Sequence, residues 1–109
     1  MGLNSNAANK LLMKANAKRL KDLARDLRKE EPRHVSETLA GFEGAARCLD
    51  KCRASLLGWQ GEYHYGCGMD EMFFTEAGIN KEQFQEMVAS GASDEEMEQW
   101  LTERAGVRR

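Results

Sequence analysis

Asn80-Lys81-Glu82-Gln83-Phe84 and Ser93-Asp94-Glu95-Glu96-Met97 decide the fold class of this chain. Each stretch puts an Asn or Ser three residues ahead of a Gln or Glu. That is the spacing of a capping box, in which the two side chains reciprocally satisfy peptide N–H groups at a helix start. Behind each start the apolar residues recur at helical spacing, as Phe84, Met87 and Val88 in 81–90 and as Met97, Trp100 and Leu101 in 94–104. Gly91 and Gly106 stand where a left-handed residue commonly ends a helix.

Upstream, Asp70 can cap a short helix carrying Met72, Phe73 and Phe74, with Gly78 as its stop. Glycines at 58, 61, 66 and 68 bracket the only segment of strand character, Glu62-Tyr63-His64-Tyr65. A further helix is expected from Phe42 to Leu57, with Phe42, Ala45, Leu49, Cys52 and Leu56 along one face. Ser5 to Glu31 reads as one long N-terminal helix stopped by Pro32, its apolar side formed by Leu12, Met13, Leu20, Leu23, Ala24 and Leu27. The expected fold is all-α, or mainly α with one short extended pair near 61–66. It divides into a basic helical extension, 1–20, and a single helical domain, 21–109.

The 109 residues are 41% apolar and 31% charged, which suits one small domain with a modest core. No apolar run approaches the roughly 20 residues that span a bilayer. Asn6 occupies the position where a myristoylation signal after Gly2 wants Ser or Thr, so neither a membrane span nor a lipid anchor is expected. The net charge of −2 conceals an asymmetry. Residues 1–33 hold nine Lys/Arg against four Asp/Glu, and 34–109 hold seven against fourteen, giving +5 and −7. Three cysteines, an odd number without a secretory leader, read as reduced thiols in the cytoplasm.

Pro32-Arg33, Glu37-Thr38-Leu39-Ala40-Gly41, Asp50-Lys51-Cys52-Arg53-Ala54, Gly61-Glu62-Tyr63-His64-Tyr65-Gly66-Cys67, Asp70, Phe73-Phe74, Gly78-Ile79 and Ser93-Asp94-Glu95-Glu96 follow one another along the chain. This series resembles a family of small bacterial proteins described only as a domain of unknown function. The resemblance runs from about Asp26 to Leu101, and Gly61–Cys67 is its most specific block. A proline often sits where this chain has Gly68, and the position of Cys48 is usually aliphatic. The resemblance implies a bacterial source and carries no activity with it.

Candidate chemistry falls into three groups. Cys48, Cys52, His64 and Cys67 offer the ligand types of a Cys3His structural zinc site. Their spacing lacks the CxxC knuckle, and no zinc or other cofactor is expected. Glu62, His64, Cys67 and Asp70 could line a small-ligand or catalytic pocket, with an imidazole activating a thiol. The alternative is a structural plug in which Tyr63 and Tyr65 fill the core. Lys10, Lys14, Lys18, Lys21, Arg25 and Arg28 form a basic stripe on the first helix. Without base-stacking or base-reading residues, and beside an acidic body, it does not point to nucleic acid. It reads as a solvated face, or one that docks against the acidic body of the same or a neighbouring chain. The apolar side, continued by Leu12, Met13 and Ala17, points to a weak, salt-sensitive homodimer through the N-terminal helix, or to an arm that frays. Asp50 and Arg53, three apart on a helix, read as a surface ion pair. The reading taken forward is a helical domain that binds a protein partner without catalysis. A ligand-binding or enzymatic pocket at Glu62, His64, Cys67 and Asp70 is the alternative, and the zinc protein a further one.

Overall fold

The structure, a computed structural model, describes residues 16–108. It is mainly helical: α1 (16–23), α2 (Ala45–Leu57), α3 (Gly68–Ala77), α4 (Lys81–Ala89) and α5 (Asp94–Arg108), with a two-stranded antiparallel sheet of β1 (Thr38–Leu39) and β2 (Phe42–Glu43). Thr38 faces Glu43 and Leu39 faces Phe42, and the tight turn between them uses left-handed backbone at both Ala40 and Gly41.

Both capping boxes form. Asn80 accepts from the Gln83 peptide N–H at 2.8 Å and Gln83 returns the contact at 3.0 Å. Ser93 and Glu96 do the same at 3.2 and 2.9 Å. Gly78, left-handed at φ 75°, ends α3 as expected, while α5 runs on through Gly106.

Helix α2 is the central element, packed against α3, α4 and β1, and every residue from Cys48 to Ala54 is buried. Around it lie Phe73, Phe74, Phe84, Val88, Met97 and Leu101. The rings of Phe73, Phe74 and Phe84 meet at 5.5–5.7 Å, within the range where tilted and edge-on aromatic pairs add to simple burial.

Three expectations are corrected. The expected helix to Glu31 stops at Leu23. The Asp26 carboxylate takes both the peptide N–H of Arg28, at 3.0 Å, and its guanidinium, at 2.9 Å; this local turn competes with helical hydrogen bonding. Leu27 is then buried apart from α1, with its carbonyl so close to Gly61 that an added Cβ there would lie 2.8 Å away. The part of the expected helix before residue 16, and the dimer expected through it, lie outside the described residues.

The second correction concerns the extended pair. It forms at 38–43 rather than near 61–66, where Gly61 and Gly66, both at positive φ, fold the chain into successive turns. Thirdly, α2 begins at Ala45, because Phe42 and Glu43 are taken by β2 and Gly44 is left-handed. Among the described residues no helix is long and apolar enough to cross a membrane.

Candidate functional site

The buried stretch of α2 includes Asp50, Lys51 and Arg53, each at most 4% exposed. A helix surrounded on all sides cannot turn its charges to water, so each must find a partner or pay several kcal/mol in desolvation. Asp50 receives the Arg33 guanidinium in a two-pronged contact at 2.9 and 3.0 Å, and the Arg33 peptide N–H at 2.8 Å. Arg33 also reaches Asp94 at 2.8 Å. Arg53 meets the other Asp94 oxygen at 2.9 Å and donates to the Ala92 carbonyl at 2.9 Å. Asp94 thus bridges two arginines from the first turn of α5. Burial works to raise its carboxyl, but the two guanidinium groups win and hold it below the ordinary carboxylate value. These contacts clamp the 24–37 segment, α2 and α5 together around a polar cleft of about 370 Å³. The surface pair expected between Asp50 and Arg53 does not exist.

Lys51 faces the opposite way. Its ammonium lies 3.0 Å from Asp70 and 3.2 Å from the Cys67 sulfur. Asp70 also accepts the Gly66 peptide N–H at 2.8 Å. Gly66 is held at φ 89°, left-handed backbone that favours glycine, while an added Cβ would meet only the flexible end of the Lys81 side chain, at 2.7 Å. Cys67 is the residue immediately before α3, with extended backbone. Partial burial and the nearby Asp70 carboxylate both work to raise its thiol. The peptide N–H of Asp70, the Lys51 ammonium and the peptide N–H of Met69 outweigh that, and the thiol is lowered from its usual value. A cysteine at a helix start beside a cation is the setting of a reactive thiolate.

The other two thiols are the reverse case. Cys48 and Cys52 are wholly buried. Burial drives Cys48 far up, and drives Cys52 up to about 12 despite the opposing influence of the Tyr65 hydroxyl.

Of the four residues anticipated around a pocket, the structure joins Cys67 to Asp70 through Lys51 and leaves Glu62 and His64 exposed on the preceding turn. Cys48, Cys52, His64 and Cys67 are not gathered about one point. Among the described residues no group of three or more His, Cys, Asp or Glu could hold a metal ion. Tyr65 is the plug: its ring lies against Phe74 and Phe84 and its hydroxyl donates to the Lys81 carbonyl at 2.7 Å. Tyr63 is half-buried outside the core cluster, with the Arg47 guanidinium over its ring. Sequence reasoning missed Lys51. Its one signal was position, a lysine between Leu49 and Cys52 on a helix expected to pack in the core.

Fold and site define a small helical domain with a buried ionic frame and a cysteine, Cys67, beside the buried Lys51 ammonium. Residues 29–109 match the family model described as Domain of unknown function (DUF5069), and the chain belongs to that family. No curated protein matches the chain.

Proposed function

We propose that this is a small-ligand-binding domain that works through the Cys67 thiolate and captures a soft electrophile there. The observation that carries the reading is the buried Lys51 ammonium 3.2 Å from the Cys67 sulfur, with Asp70 fixing the lysine from the other side. Glu62 and His64 supply at most rim contacts to the ligand. Free cysteines suit a reducing compartment, and we place the domain in the cytoplasm.

The test is the pH dependence of iodoacetamide alkylation, followed residue by residue by mass spectrometry. Cys67 should react with an apparent pKa below the ordinary value of about 8.5, while Cys48 and Cys52 stay unmodified in the folded protein. Lys51→Met should move the midpoint of the Cys67 profile to higher pH, and a midpoint higher by about one pH unit leaves roughly a tenth of the thiolate at neutral pH. A wild-type profile at the ordinary value refutes the reading.

A second reading, an interaction domain without catalysis, has its own support in Met69 and Met72, which are 51% and 73% exposed on α3. Flexible thioethers suit adaptable protein-binding surfaces. A Met69→Ser/Met72→Ser variant that alkylates normally at Cys67 but no longer retains a protein partner would favour this second reading.

A further inference from the structure

We propose that oxidation joins Lys51 to Cys67 through a covalent sulfur–nitrogen bond, a sulfenamide that fastens the middle of α2 to the start of α3. The inference rests on the reading of Cys67 as an accessible thiolate and adds a regulated chemistry to it. The reacting atoms already stand 3.2 Å apart. The lysine side chain is only 5% exposed and is fixed from behind by Asp70 at 3.0 Å, so its nitrogen is presented to sulfur without a search. Cys48 and Cys52 are enclosed in the core with their thiols pushed up, which makes Lys51 rather than a second cysteine the group placed to trap an oxidised Cys67.

The oxidant is hydrogen peroxide. The Cys67 thiolate attacks one peroxide oxygen; an S–O bond forms, the O–O bond breaks, and hydroxide leaves. Sulfur is oxidised by two electrons to sulfenic acid and peroxide is reduced. That step removes the negative charge beside Lys51 that helped to keep it an ammonium. Lys51 then passes a proton to the Asp70 carboxylate, and its lone pair attacks sulfur. As the S–N bond forms the S–O bond breaks, and the departing hydroxyl takes the second nitrogen proton and leaves as water. Asp70 returns its proton to the hydroxide from the first step. Overall, thiol, amine and peroxide give sulfenamide and two waters. Sulfenic acids condense with nitrogen in this way, and the product is spared the irreversible oxidation to sulfinic acid. A reducing thiol that attacks the sulfur restores both side chains.

The experiment treats the full chain with hydrogen peroxide, digests it with trypsin and maps the peptides by mass spectrometry. The expected product lacks two hydrogens and links the peptide holding Lys51 to the peptide holding Cys67. Cleavage after Lys51 is lost, and dithiothreitol reverses the whole change. A Lys51→Arg variant should give no link and should proceed to the sulfinic acid. A wild-type disulfide from Cys67 to Cys48 or Cys52, or Cys67 sulfinic acid without any link, overturns the proposal. If alkylation still reports a lowered thiol, only the cross-link falls. If Cys67 alkylates as an ordinary thiol, the reading beneath it falls as well.

Discussion

The Lys51 ammonium sits 3.0 Å from the Asp70 carboxylate, and both side chains are at least 95% removed from water. Such a pair contributes little net stability, because the desolvation of each charge nearly cancels their attraction, yet breaking it strands a charge. Lys51→Met should therefore cost about 3–5 kcal/mol, as should Asp70→Ala. The double variant Lys51→Met/Asp70→Leu should be less destabilised than the sum of its parts. Urea midpoints of the three variants check this; simple additivity would contradict the coupling.

Tyr65 and Tyr63 should separate sharply. Tyr65→Ala removes a ring held against Phe74 and Phe84, with an expected cost of about 3–5 kcal/mol. Tyr63→Ala removes a half-buried ring outside the core cluster whose partner is Arg47, and should cost less, about 1 kcal/mol. Denaturant unfolding of the two variants decides it.

Asp94 gives the fold an acid-sensitive joint. Its carboxyl is below its ordinary value of 3.8 in the folded protein, so its contribution is complete above that value and is lost as pH falls through the lower, folded one. The wild-type midpoint should fall as pH drops from about 5 toward 2. Asp94→Asn should be less stable at neutral pH and show a flatter decline over that range. Equal slopes would remove Asp94 from the acid response.

Gly68 is the first residue of α3, follows a residue in extended conformation, and has open space where a Cβ would lie. Proline is favoured at the first helical position, where no helical partner awaits the N–H. Gly68→Pro should raise stability by about 0.4–1 kcal/mol through a less flexible unfolded chain. A lower thermal midpoint would contradict this account of the turn.

The helix starts at Asn80 and Ser93 were legible because a capping box closes within four residues, and its partners are fixed by spacing alone. The apolar stripes of α4 and α5 were legible for the same reason. The N-terminal helix was overextended because Leu20, Leu23 and Leu27 fit one helical face, whereas Asp26 and Arg28 supply a competing local turn. At the site, Cys67 and Asp70 could be marked from the sequence. The exposure of His64 was not legible, because adjacency in the chain says nothing about which side of a turn a side chain leaves from.

The sequence alone determined a mainly helical fold, the starts of α4 and α5, the ends of α2 and α3, and a block from Gly61 to Asp70 worth attention. Only the tertiary structure decided which charges go inside. Asp50, Lys51 and Arg53 are tolerated in the core because Arg33, Asp70 and Asp94, between 17 and 41 residues away in sequence, arrive to meet them. No local pattern encodes those meetings. They exist because burying α2 on every side makes an unpartnered charge there too costly to keep.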